Sequence, residues 1–172
     1  MVAVLLLLAA AATAVLPRTL GGRRAAPAPD AQAASRNGGH ERVVAVQSGD
    51  TFSTAEARPA VTHIVGIDAP EAGECGFDGA RRNLRLMIAQ RPISLYWDSL
   101  QPRRDTDGRR LRYAVLGPAS HPWDVGYMAV AAGWARVSLE NDFMLVAQYL
   151  QAQATAQAER RGVWRCGRGR PR

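Results

Sequence analysis

The sequence predicts an α+β domain in which a small closed barrel of short strands carries helices on its outside. Three observations point there. Five short β-branched stretches occur within the middle of the chain, a helical stretch is inserted after the third of them, and the remainder of the ordered pattern is helical. Strands this short cannot bury a core as an open sheet alone, and five of them joined by turns suit an OB-type barrel.

Each element has its own signal. "RVVAVQ" (residues 42–47) is short and β-branched. "SGD" (48–50) is a turn, and "TFST" (51–54) resumes an extended run. "AVTHIVGI" (60–67) reads as one third strand. From Asp78 the chain reads "DGARRNLRLMIAQ", with Ala80, Leu84, Met87 and Ile88 at helical spacing and Asp78 as the candidate cap. "PISLYWD" (92–98) and "RLRYAVLG" (110–117) are the fourth and fifth strands, the latter reached through the turn "DTDGR". "WDVGYMAVAAG" (123–133) predicts a short helix ending at a glycine. Residues 141–162 predict a long amphipathic helix with Asn141 at its N-cap, Arg160 and Arg161 in its last turn and Gly162 as its stop.

The ends differ in composition from the middle. Residues 1–17 form an apolar run too short for a comfortable membrane span and suited to the core of a signal peptide. No basic residue precedes the run, whereas Arg18, Arg23 and Arg24 follow it. An N-terminal anchor touching the membrane is therefore the alternative to a cleaved signal. Residues 18–40, rich in Pro, Ala, Gly and Arg without periodicity, read as a disordered linker. Residues 41–166 form the domain, and 167–172 are a basic tail. An exported chain with two cysteines, Cys75 and Cys166, suggests a disulfide, with two free buried thiols as the other reading.

The chain has 172 residues and a formal charge of +7, and every one of its 22 basic residues is arginine. A GC-rich coding bias is one reading of the absence of lysine. Arginine also binds phosphate through two parallel donors, so a polyanionic partner agrees with the same composition.

Polar clusters sit at the ends of the predicted elements. Asp50 lies in the turn before the second strand, Asp68 and Glu71 follow the third, and Arg109 opens the fifth. Singly, each is an ordinary surface turn. Three carboxylates brought together would repel unless a cation neutralised them, and oxygen donors suit a hard ion such as Ca²⁺ or Mg²⁺. With an arginine beside them they make a set able to cleave phosphodiesters.

"GDT", "GIDAPE" after an apolar strand, "DxxGR", "GWARV" and "RGVW" follow one another in the order and spacing of the staphylococcal nuclease (thermonuclease) family, which this chain resembles over about residues 42–164. The resemblance implies a five-stranded OB-type barrel with three helices, and a monomeric Ca²⁺-dependent phosphodiesterase acting on DNA and RNA. It implies one Ca²⁺ ion, held by Asp50, Asp68 and the backbone carbonyl of Ala69. Glu71 matches the glutamate that orients or deprotonates the attacking water. Arg109 matches the arginine that binds the scissile phosphate and assists the leaving oxygen, and Asp105 matches an acid behind the site with a structural role.

The sequence also departs from that pattern. His63 stands where the family usually has an arginine, five residues before the aspartate of "IDAPE". Histidine lacks the guanidinium fork and a permanent charge. Losing one preorganised donor of this kind costs about 100–1000-fold in rate. Strand alternation alone would put His63 on the face opposite Asp68. Ser48 replaces an acid common two residues before Asp50, and Leu139 replaces an aromatic able to stack on substrate. The expectation is a secreted or surface-attached nuclease, slowed at His63. The alternatives are an impaired nuclease-fold module that binds nucleic acid or another partner, and a structural domain.

Overall fold

The computed structural model describes residues 40–55, 60–118 and 120–166. The expected signal segment, the body of the linker and the basic tail lie outside the described residues. Five strands close the barrel: β1 (His40–Val46), β2 (Thr51–Thr54), β3 (Ala60–Ile64), β5 (Pro92–Tyr96) and β6 (Arg110–Leu116). Between β3 and β5 come the two-residue β4 (Ile67–Asp68) and the helix α1 (Phe77–Ile88). After β6 follow β7 (Trp123–Asp124), α2 (Val125–Ala131), β8 (Arg136–Val137), α3 (Val146–Ala158) and a 3₁₀ turn (Gly162–Arg165).

The strand order is β3-β2-β1-β5-β6, and the parallel pairing of β3 with β6, from Thr62↔Arg110 to Ile64↔Arg112, closes the ring. β1 serves two neighbours. Its start pairs with β5 and its end with β2, and a register shift between Val43 and Ala45 bends it from one to the other. Phe52, Ile64, Ile93 and Tyr113 from the barrel meet Leu84 and Ile88 of α1, Val130 of α2 and Tyr149 of α3 in one core, all fully or almost fully buried. The i, i+4, i+8 series Ala80, Leu84, Ile88 is the buried face of α1, as its spacing predicts.

Five boundaries differ from the sequence-based expectation, each for an identifiable reason. The third strand does not continue to residue 67. It stops at Ile64, and Gly66 turns the chain at φ +72°. A Cβ there would lie 2.5 Å from the Phe143 ring, so only glycine allows both the turn and the contact. Asp78 does not cap α1. The cap position belongs to Gly76 at φ +97°, and Asp78 lies in the first turn, where its charge complements the helix dipole. Asn141 does not cap the long helix, which begins at Val146 after Leu145. The carbonyls of Asn141 and Asp142 instead accept bonds from Gln101 Nε2. That helix also ends at Ala158 rather than at Gly162, because Arg160 takes φ +51° and Val163 N–H turns back to donate to the Gly133 carbonyl. Residues 123–124 are a strand, β7, and Asp124 caps α2 by accepting from the Tyr127 amide at 3.1 Å.

Cys75 and Cys166 form a disulfide. It joins the segment after Glu71 to the end of the 3₁₀ turn.

Candidate active site

The turn at Gly66 decides the geometry of the site. In one continuous strand His63 and Asp68 would point to opposite faces. Breaking the strand resets that parity, and both residues line one cleft of about 330 Å³ together with Ser48, Asp50, Glu71 and Arg109. A wider cleft of about 760 Å³ adjoins it, shares His63, Asp68, Glu71 and Arg109, and adds Arg104 and Arg136. The residues singled out in the sequence therefore come together, from four separate stretches of chain.

Asp50 is the most firmly held of them. It is 7% exposed. One carboxylate oxygen accepts from the hydroxyls of Ser48 at 2.5 Å and Thr51 at 2.9 Å, and the other from the Ala69 amide at 2.7 Å. The last bond ties the β2 turn to "IDAPE". Ser48, a departure from the family pattern, thus serves Asp50 as a donor.

Asp68 lies at the end of β4, opposite Arg136 of β8 in the ladder. Burial raises its carboxyl pKa and the charge of Asp50 raises it further, against the pull of Arg136 and His63. Two carboxylates that repel across one cleft wall are a donor set that a cation would relieve. Among the described residues no group of three or more His, Cys, Asp or Glu side chains is arranged to hold a metal. The donor chemistry fits a hard ion bound by two aspartates and a carbonyl, with water completing its shell.

Glu71 is exposed at the cleft mouth. Its backbone amide donates to the Glu74 carboxylate at 2.9 Å, and its carbonyl accepts from the Glu74 amide at 2.9 Å, so Glu74 closes the turn on which it sits. Pro70 before it is buried and fixes φ.

Asp105 organises the opposite wall. It accepts from the Arg109 amide at 2.8 Å, from Arg109 Nε at 2.6 Å and from the Asp107 amide at 3.1 Å. Burial alone would raise its carboxyl. The hydrogen bonds from the Arg109 side chain and backbone and from His63 outweigh burial and hold it below the usual range. Asp107 adds an ion pair, with Arg109 Nη2 at 2.9 Å from its carboxylate. Asp105 and Asp107 together aim the guanidinium.

His63 spans the cleft floor. Its Nδ1 lies 3.2 Å from Asp105 Oδ2, and its Nε2 lies 3.3 Å from the Ile67 carbonyl and 3.9 Å from Asp50 Oδ2. Both ring nitrogens face acceptors. A neutral imidazole donates to one of them, and only the imidazolium donates to both.

Sequence reasoning missed Arg136 and Glu74. Arg136 lies within the quoted "GWARV", and its guanidinium stands 5.4 Å from the Trp164 ring. Its place beside Asp68 follows from the β4–β8 register, which two-residue strands do not advertise. Leu139 is 63% exposed. No family model matches the chain, and no curated protein matches it.

Proposed function

We propose that this protein is a Ca²⁺-dependent phosphodiesterase of the thermonuclease type, exported from the cell and acting on DNA or RNA. The observation that carries the reading is the convergence of Asp50, Asp68, Glu71 and Arg109 on one cleft. Convergence of two acidic ligands, an exposed carboxylate and an oriented arginine suits phosphoryl chemistry better than it suits a structural surface.

Asp50, Asp68 and the Ala69 carbonyl would hold the ion, which when bound supplies positive charge to the phosphate and acidifies water. Glu71 accepts a proton from the attacking water as its oxygen bonds to phosphorus. Arg109 donates to a phosphate oxygen and to the leaving oxygen as the P–O bond breaks, and that oxygen takes its proton from solvent. Asp105 keeps Arg109 aimed. His63 contributes one donor where the family's arginine would contribute a charged fork, so turnover is slow. The Cys75–Cys166 disulfide fits an oxidising compartment. Among the described residues no helix is long and apolar enough to cross a membrane.

A second reading is a binding module of the same fold with little or no turnover. The ties that Asp105 and Ile67 place on His63 favour it, because a ring so engaged has little left for substrate. Degradation of plasmid DNA by the full chain separates the two. The nuclease reading expects nicking and loss of supercoiled DNA with Ca²⁺ and none with EDTA. Retarded but intact plasmid in Ca²⁺ would establish the binding module instead.

A further inference from the structure

Positive charge on the barrel is answered unevenly. Arg110 is met by Glu41 in a two-pronged pair, at 3.1 and 2.9 Å. Arg103, Arg104 and Arg112 have no carboxylate at ion-pairing distance among the described residues. Backbone carbonyls gather them instead. Arg112 Nη1 donates to the carbonyls of Arg103 at 3.0 Å and Leu111 at 2.7 Å, and Arg104 Nη1 to that of Gly108 at 2.5 Å. Carbonyls aim a guanidinium without neutralising it. Burial lowers the pKa of Arg112, and the charges of Arg110, Arg103 and Arg104 lower it further, against the pull of Glu41.

A flat surface accompanies the charge. The Arg103 guanidinium stacks on the Trp97 ring at 4.1 Å, and Trp97 Nε1 donates to the Gln101 carbonyl at 3.0 Å, which fixes the indole. Arg103 is exposed, so the outer face of the stack is open. Arg104 also lines the wider cleft with Arg109.

We propose that Trp97, Arg103, Arg104 and Arg112 form a second nucleic-acid contact, continuous with the cleft through Arg104, that holds single-stranded polynucleotide to one side of the phosphate at Arg109. The inference rests on the nucleic-acid reading of the cleft. Guanidiniums without carboxylates bind phosphates in pairs of donors, and an exposed planar stack accepts an unstacked base. An anionic membrane would use the charge but not the plane, since Trp97 is half-buried beneath Arg103 and is not free to insert into lipid.

The test is equilibrium binding in EDTA, with the full chain and labelled DNA. One probe is a single strand of about sixteen nucleotides, long enough to reach both contacts. The other is a dinucleotide that reaches only the cleft. The Arg103→Gln/Arg112→Gln variant should bind the long strand about tenfold more weakly at low salt. Its log–log salt dependence should flatten by roughly 1.4, about 0.7 for each of two lost phosphate contacts. Dinucleotide binding should not change. Arg112 is half-buried, so if the double variant misfolds, Arg103→Glu alone decides, with the same loss expected at an exposed position. Unchanged affinity and slope for the long strand overturn the proposal. So does a wild-type chain without affinity for it, or a loss confined to phosphatidylserine vesicles. A wild-type chain that binds the strand through these arginines yet does not cleave it in Ca²⁺ supports the surface and overturns only the nuclease reading.

Discussion

The two walls of the cleft are held by different means. On the barrel wall, Asp50 is buried and takes three hydrogen bonds from Ser48, Thr51 and Ala69, so its position is part of the β2 turn and of the link to residue 69. On the loop wall, Glu71 is exposed, and its segment is fixed by the Glu74 turn, by Pro70 and by a covalent link four residues later. The comparison teaches that a buried carboxylate can be positioned by folding alone, whereas an exposed one keeps its place only where its chain is tethered. Disturbing either wall should therefore leave a different trace.

The largest effect expected is on the loop wall. Replacing Cys75 and Cys166 by serine opens a loop of 91 residues. It should lower stability by about 4 kcal/mol on the chain-entropy model. Thermal unfolding would measure the loss, and the surviving folded protein should show reduced turnover with Ca²⁺ affinity retained, because Asp50 and Asp68 are anchored elsewhere. Equal losses in both would break the distinction between the walls. Next in size is Arg109→Ala. It should cut the cleavage rate about 100–1000-fold, and Asp105→Asn should cut it less by leaving the arginine charged but poorly aimed. Single-turnover rates on one DNA substrate would rank them, and the reverse order would contradict the positioning role of Asp105.

Asp124 sharpens the comparison from inside the core. Like Asp50 it is buried and hydrogen-bonded, by Tyr127 N–H and Tyr149 O–H, but it lines neither of the two clefts described above, and its Oδ2 has no hydrogen-bond partner among the described residues. Burial pushes its carboxyl up to about 6. A raised carboxyl favours the folded state most at low pH, and that contribution disappears as pH rises through about 6. Asp105 and Glu41 act in the opposite sense. Burial alone would raise the Glu41 carboxyl too, but Arg110 and Thr54 hold it low, so these two lose their contribution as pH falls. Asp124→Asn isolates the first effect. Relative to the wild type it should gain up to about 3 kcal/mol between pH 4 and pH 7. Denaturant melts at the two pH values would show it, and a constant gap would mean that Asp124 is charged throughout.

The smallest effect concerns the cleft floor. His63→Arg should raise Ca²⁺-dependent cleavage by roughly tenfold, by supplying a permanent charge and a second donor. If the variant folds and is no faster, Arg136 or Arg109 already supplies what the histidine lacks.

Much of this arrangement was legible in the sequence, and the illegible part has a common cause. The barrel strands, the α1 face and the polar element ends follow from alternation, helical spacing and turn chemistry, all of them local. His63 and Asp68 on one face did not follow, because Gly66 turns the chain against a ring contributed by Phe143, far along the sequence. Asn141 looked like a cap because local rules favour it, and Gln101 drew its segment into another role. The Asp68–Arg136 pairing likewise depends on two residues of strand meeting two others. Contacts that cross the molecule leave the weakest local trace.

One measurement tests the central claim most directly. Full-length protein and its Glu71→Gln variant are compared for cleavage of a labelled DNA strand under single-turnover conditions, with Ca²⁺ and with EDTA, and for thermal stability. Glu71 is exposed, so the two should melt alike. The wild type should cleave in Ca²⁺ and not in EDTA, and the variant should be slower by about 100-fold or more. Equal rates for the two proteins, or no cleavage by the wild type with Ca²⁺, would contradict the account.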